Sequence, residues 1–233
     1  MPLAVRWGAV RERLGAAERQ YGRAAGSVRL LAASKSQPVS AIRELATLGQ
    51  RAFGESYLQE ACPKQDACAD LPLEWHFIGP VQGNKAAEVA RRFDWVHTLA
   101  SEVQAERLAR ARPQHMPPLN VCLQVNIDGE TSKAGIAPAT VTVLAQAVQA
   151  LPQLRLRGLM SIPARADGLA AQRRPLRALR ELWQGLRGEG FELDTLSMGM
   201  SDDLEAAVAE GATITRIGSA LFGPRPARAV LRT

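Results

Sequence analysis

The chain has 233 residues, 46% hydrophobic and 22% charged, enough to bury a core, yet no apolar run approaches the roughly eighteen residues of a membrane helix. The opening MPLAVRWGAVRERL carries no signal-peptide pattern, and Cys62, Cys68 and Cys122, odd in number and without a CxxC pair, point to a reducing cytoplasm rather than a disulfide framework or a zinc site. The net charge of +6 would suit a nucleic-acid partner only with a basic stripe and interleaved aromatics, whereas the arginines are spread over helix faces such as 171–187.

The hydrophobic pattern alternates short strand-like runs with longer helix-like stretches. An amphipathic helix over about residues 3–24 precedes an apolar strand, Val28–Ser34. Pro38 and Gly49 then bracket a helix, proline at its start and glycine past its end. A short second strand lies around Arg51–Phe53. The third, Leu73–Ile78, is followed by Gly79-Pro80 and a helix through about Arg92. The fourth strand, Trp95–Leu99, leads to a helix over Glu102–Ala111, and the fifth is Leu119–Ile127. A helix across Pro138–Ala150 reaches the sixth, Arg155–Met160. An Arg-rich helix over about 170–187 reaches the seventh, Thr195–Met198. Asp202 and Glu205 have capping-box spacing at the start of a helix over Asp202–Glu210, and Thr213–Ile217 is the eighth strand.

Eight such units, with no linker or break in composition, predict a single α/β domain over 1–233: a parallel (β/α)8 TIM-type barrel at 28–225 behind an extra N-terminal helix at 1–25. In such a barrel the chemistry gathers where strands end. Only four of the 29 basic residues are lysines, and Lys35 follows a nearly unbroken apolar strand, where a long cation is costly to bury. A desolvated amine there would be nucleophilic and suited to a Schiff base; a surface lysine at a loop start is the competing reading. After the seventh strand, Ser197-Met-Gly-Met-Ser201 precedes a helix, and Gly218-Ser219 follows the eighth. Phosphate sites in these barrels commonly lie there, although an N-cap serine and a glycine turn would leave the same pattern. Asp202 and Asp203 would repel an anion, so they are expected to point outward. His76, His97 and His115 lack metal-ligand spacing, and His76 reads as a hydrogen-bonded packing residue. Cys122 reads as core, and Lys133 as exposed or phosphate-adjacent without a catalytic role.

These residues lie within longer segments that resemble the pyridoxal phosphate homeostasis proteins, the YggS/PROSC family. The segments are Ala33-Ser-Lys35, Phe53-Gly-Glu-Ser-Tyr-Leu-Gln-Glu60 and Trp75-His-Phe-Ile-Gly-Pro-Val-Gln-Gly-Asn-Lys85. They continue through Val125-Asn-Ile, Thr131-Ser-Lys-Ala-Gly-Ile136, Arg157-Gly-Leu-Met160, Ser197-Met-Gly-Met-Ser-Asp-Asp203 and Arg216-Ile-Gly-Ser-Ala-Leu-Phe-Gly223. The resemblance implies a barrel related to the N-terminal domain of alanine racemase, with pyridoxal 5'-phosphate (PLP) at its mouth. It implies Lys35 as the covalent Schiff-base lysine, Ser201, Gly218 and Ser219 as the phosphate cradle, and Arg216 facing the pyridine nitrogen. Ser56, Met160, Ser161 and Met200 are further cofactor contacts on the same basis. Ser56 stands where the family usually has Asn, and Gly83 where it usually has Ser.

A permanent cation at the pyridine nitrogen disfavours its protonation and makes the ring a poor electron sink. Transamination and decarboxylation are therefore not expected. Amino-acid racemisation is the alternative, but a two-base racemase needs a second acid–base group, which in that relative comes from a further β domain. The chain runs only to Thr233, so no such domain is expected. A third reading is a barrel enzyme acting on another phosphorylated metabolite. The leading expectation is a monomeric cytoplasmic PLP-binding protein without catalytic turnover. It would buffer the cofactor or deliver it to apo PLP-dependent enzymes, with neither nucleic acid nor membrane as partner.

Overall fold

The computed structural model describes residues 1–130 and 134–223, so Lys133 and the last two positions of the expected barrel span lie outside the described residues. Eight strands run parallel: β1 (Arg29–Ala33), β2 (Ala52–Glu55), β3 (Glu74–Phe77), β4 (Trp95–Leu99), β5 (Leu119–Gln124), β6 (Leu154–Met160), β7 (Thr195–Ser197) and β8 (Ile214–Ile217). They pair in chain order, and β8 closes on β1 from Arg29↔Ile214 to Ala32↔Ile217. Around them lie α1 (Leu3–Gln20), α2 (Val39–Thr47), α3 (Leu58–Asp66), α4 (Ala86–Arg92), α5 (Glu102–Ala111), a 3-10 turn at Pro138–Thr140, α6 (Val141–Gln149), α7 (Leu169–Gly188), α8 (Leu204–Ala209) and α9 (Ser219–Phe222).

The two-residue repeat of each strand divides the core into two layers. On β1, Leu30 and Ala32 face the helices, while Leu31 joins Ala52, Trp95, Cys122, Met160 and Ile214 inside the barrel. The interior also holds polar side chains: His76, His97, Ser197 and Arg216 are all buried.

Several expectations need correction. The first helix stops at Gln20, because Gly22 turns with φ 64° and the buried Glu18 carboxylate accepts the Gly26 and Val28 N–H groups at 2.9 and 2.8 Å. Helices α3 and α9 were not foreseen; α3 carries Pro63 inside it and a polar run that hides its periodicity. The Asp202–Glu205 capping box does not form. Helix α8 starts at Leu204, and the Glu205 carboxylate is taken by Arg13 of α1. Among the described residues no helix is long and apolar enough to cross a membrane, no metal-binding cluster forms, and all three cysteines are free.

Candidate functional site

A cavity of about 430 Å³ opens at the C-terminal ends of the strands. Of the nine residues singled out from sequence, seven line it: Lys35, Met160, Met200, Ser201, Arg216, Gly218 and Ser219. Ser56 and Ser161 are not in its wall. The Ser56 backbone lies against Gly79, where a Cβ would fall 2.1 Å from the Ser56 carbonyl oxygen, and Ser161 contributes a carbonyl behind the wall.

Lys35 sits half-buried in the turn after β1. Its neighbours are held on both sides. Ser34 donates its hydroxyl to Glu55 Oε1 at 2.6 Å, and Lys64 Nζ donates to the Ser34 carbonyl and to Glu55, both at 2.9 Å. Ser36 adopts φ 63°, a left-handed conformation that costs a non-glycine residue about 1 kcal/mol, and its N–H is held by Glu60 Oε2 at 2.7 Å. Burial raises the Glu55 pKa despite the opposing pull of Ser34 and Lys64. Glu55, Glu60 and Lys64 thus fix the lysine turn, which sequence reasoning missed. The scarcity of lysine was the available signal: Lys64 is buried, and its ammonium group serves this turn.

Beside the end of β1, the loops after β7 and β8 meet. Ser219 Oγ donates to Ser201 Oγ at 3.1 Å, and the Ala220 N–H donates to the same Ser201 oxygen at 3.1 Å. Gly199 is obligatory here: its φ is 94°, and a Cβ would lie 2.4 Å from that of Ala207. Gly218 differs. Its φ is −116°, and a Cβ would make only ordinary contact, 3.5 Å from the Ala33 oxygen and 3.6 Å from the Ala33 Cβ. The protein therefore has room for a side chain at Gly218, and that room is part of the cavity. Helix α1 braces these loops: Arg13 Nη1 donates to the Ser201 carbonyl at 2.7 Å and Arg6 Nη1 to the Phe222 carbonyl at 2.6 Å. The two acidic residues expected to point outward both line the cavity, Asp202 exposed at its rim and Asp203 buried. Asp203 Oδ1 accepts the Met200 N–H at 2.6 Å, and this bond, which shapes the loop, turns the carboxylate inward.

Arg216, on the inner face of β8, forms the floor between the two sides. Both Nη1 hydrogens go to Ser197, to its carbonyl at 2.6 Å and its hydroxyl at 2.7 Å, and Nη2 donates to the Ser161 carbonyl at 2.8 Å. A guanidinium has five N–H donors, so two remain for the cavity. Burial lowers its pKa to about 10, which leaves it a cation at neutral pH. Cys122, also inside the barrel, has its thiol pushed up to about 12 by burial and is inert. His76 and His97 are both fully buried, hydrogen-bonded and outside the cavity wall. The loop from Ile162 to Asp167, with Gln172, also lines the cavity and was not foreseen; it brings Arg165 and Asp167 to the wall from beyond the strand end that the sequence marks.

An amine, a hydroxyl and amide cradle, and a buried cation between them suit an anionic aromatic aldehyde. Comparison with known proteins agrees. Residues 9–226 match the family model for the alanine racemase N-terminal domain. The pyridoxal phosphate homeostasis protein of Pseudomonas aeruginosa is 55% identical over 216 residues, 93% of each chain. That of Escherichia coli is 48% identical over 219 residues, covering 93% of this chain and 94% of the other. Among solved structures, PipY of Synechococcus elongatus with PLP bound superposes with a TM-score of 0.83 at 37% identity, over 95% of this chain and all of that one. The chain belongs to the pyridoxal phosphate homeostasis proteins, a family built on the alanine racemase N-terminal domain barrel.

Proposed function

We propose that this chain binds PLP at the barrel mouth and stores or hands on the cofactor without catalytic turnover. The observation that carries this reading is the convergence of Lys35, Arg216 and the Ser201/Gly218/Ser219 loops on one cavity. The room left in front of Gly218 fits a phosphate, because the fold itself does not require glycine there. When bound, PLP supplies an aldehyde that joins reversibly to a primary amine and a pyridine ring that can accept electrons. Lys35 holds the cofactor through Nζ, and the turn clamped by Glu55, Lys64 and Glu60 sets where that amine stands. Ser201, Ser219 and the Gly218 backbone grip the phosphate. Arg216, a buried cation in the cavity wall, would face the ring nitrogen and disfavour its protonation, which would restrain the chemistry a catalyst exploits. The PLP-bound PipY structure and the names of the relatives support this reading.

The test has two arms. Borohydride treatment of PLP-loaded protein should fix the cofactor to the peptide containing Lys35, and Lys35→Ala should abolish the yellow colour; labelling mainly at Lys85 or Lys133 would overturn the assignment. Loaded protein should also restore activity to an apo PLP enzyme against a free-PLP control, while L-amino acids keep their chirality. Failure to reactivate, with racemisation that disappears in Lys35→Ala, would overturn the carrier reading.

A further inference from the structure

A line of polar side chains crosses the barrel interior beneath the cavity floor. At the N-terminal end of β3, Glu74 Oε1 lies 2.6 Å from His76 Nε2. His76 Nδ1 is 2.8 Å from His97 Nε2, and His97 Nδ1 is 2.7 Å from Ser197 Oγ. Ser197 Oγ in turn accepts from Arg216 Nη1 at 2.7 Å. The line therefore joins β3, β4, β7 and β8 and runs from one end of the barrel to the other. Apolar interior side chains would have filled this space at less cost, because buried polar groups repay their desolvation only when every one is satisfied.

The chemistry at the two ends fixes every proton between them. Arginine only donates and a carboxylate only accepts. Starting from the carboxylate, His76 must carry its proton on Nε2. The two fully buried imidazoles, 2.8 Å apart, are held neutral by burial, which at His76 outweighs the opposing pull of Glu74 and at His97 is reinforced by His76 and the Arg216 cation. A neutral His76 then presents a bare Nδ1, so His97 donates from Nε2. His97 is left with a bare Nδ1, so the Ser197 hydroxyl donates to it and offers its lone pairs to Arg216. Each link holds one proton, and all point the same way. The charged groups around the line fit this order. Arg29 of β1 donates to Glu74 at 2.9 Å and keeps it anionic. Asp94 is engaged by the Trp75 N–H at 2.8 Å, and Arg157 lies over the Trp95 ring, 4.7 Å from its centroid. Trp95 stacks on His76, with centroids 5.3 Å apart, and sets its ring plane. Asp203 faces Arg216 from the mouth, and Cys122 beside it is neutral.

We propose that His76, His97 and Ser197 form a one-directional hydrogen-bond relay, closed at its far end by the contact of the Glu74 carboxylate with His76 Nε2, that positions Arg216 and fixes which of its N–H groups face the cofactor. These are positioning residues, since none of the four lines the cavity. Because all the bond dipoles align, the relay turns its negative ends toward Arg216, stabilises the buried cation and ends on the Glu74 charge. The inference rests on the cavity being a PLP site, but its first test does not.

That test is a long-range 1H–15N correlation spectrum of full-length protein labelled with 15N-histidine, recorded with and without PLP. The exposed His115 serves as an internal reference. His76 and His97 should both appear as the neutral Nε2–H tautomer and stay so between about pH 6 and 8. An Nδ1–H tautomer or a cation at either site would overturn the relay. Second, Ser197→Ala and His97→Phe should weaken PLP binding about 3–10-fold, the worth of one hydrogen bond, and shift the visible band of the bound cofactor. Ser197→Thr, which keeps a hydroxyl, should restore the band. Variants that lose thermal stability while band and affinity stay unchanged would refute the positioning role and leave a purely structural one. If the unmodified chain does not bind PLP, the proposed function falls while the histidine spectrum still decides the direction of the relay.

Discussion

Substitution at Gly218 separates the needs of the fold from those of its ligand. In Gly218→Ala the new methyl meets the Ala33 oxygen at 3.5 Å and the Ala33 Cβ at 3.6 Å, and otherwise projects into the cavity. The backbone, at φ −116°, is open to any residue. Two small effects on stability oppose each other. Alanine restricts the unfolded chain, which stabilises by about 0.4–1 kcal/mol, and it is a poorer N-cap for α9 by a similar amount. The net change should stay within about 1 kcal/mol, a Tm shift of roughly 2–4 °C for a domain of this size. Binding should respond very differently. Under the proposed function the methyl would occupy the place where the phosphate approaches the Gly218 backbone, and losing one hydrogen bond to a charged group costs about 1.5–3 kcal/mol. PLP affinity should therefore fall roughly 10–100-fold.

The assay is a titration of apo-protein with PLP, followed by absorbance, alongside thermal unfolding without ligand. Gly199→Ala is the contrasting control. Its φ of 94° and a contact of 2.4 Å to the Ala207 Cβ predict a loss of stability before any question of binding arises. Unchanged PLP affinity in Gly218→Ala would refute the cradle. A Tm drop as large as that of Gly199→Ala would refute the claim that the fold leaves this space open.

Three further outcomes follow from the same contacts. Pyridoxal without its phosphate should bind far more weakly than PLP, and Ser201→Ala with Ser219→Ala should narrow that gap; equal affinities in the unmodified protein would contradict the assignment. For Glu74, burial alone would raise the pKa, but His76 and Arg29 hold it at about 2 against an ordinary 4.5, so its contribution is complete above pH 4.5 and lost as pH falls toward 2. Urea titrations of Glu74→Gln should show it less stable than the parent at pH 6, on the order of 2 kcal/mol after solvent screening, with the two curves converging near pH 2; parallel curves would refute the linkage. Lys64→Met strands the buried Glu55 carboxylate at a cost of about 3–5 kcal/mol. Because the Glu55 pKa is already raised, this loss should be largest at alkaline pH and shrink on acidification as Glu55 takes up a proton; a pH-independent loss would contradict that account.

All eight strands were legible because each is a short stretch rich in apolar residues between helix-like segments, and barrel closure follows from their number and their alternation with helices. The ends of β1, β7 and β8 could be read for the same reason: Lys35, Ser201 and Gly218-Ser219 stand where an apolar run stops. What escaped was pairing across the chain. Glu205 has the spacing of a capping residue, yet a guanidinium 192 positions away in sequence takes its carboxylate. His76 and His97 could be read singly as packing histidines, but their union with Ser197 and Arg216 requires four strands to face one axis. Helix α3 was hidden by Pro63, although the same helix brings Glu60 and Lys64 to the lysine turn.

Helix α1 stands outside the repeating strand–helix pattern, and its contacts explain why the barrel carries it. Loops after β7 and β8 that grip an anion must leave backbone groups uncommitted, which makes them poorly held by their own hydrogen bonds. Arg13 and Arg6 supply the missing restraint from behind, by donating to the Ser201 and Phe222 carbonyls that face away from the cavity. Arg13 is itself oriented by the two oxygens of Glu205 on α8, so helix and loop are fixed as a unit. The Ser201 end of the cavity is thus braced by the first helix, while the Lys35 end is braced by α3 and β2. Under the proposed function these are the phosphate and amine ends, so each is held in place by a different element.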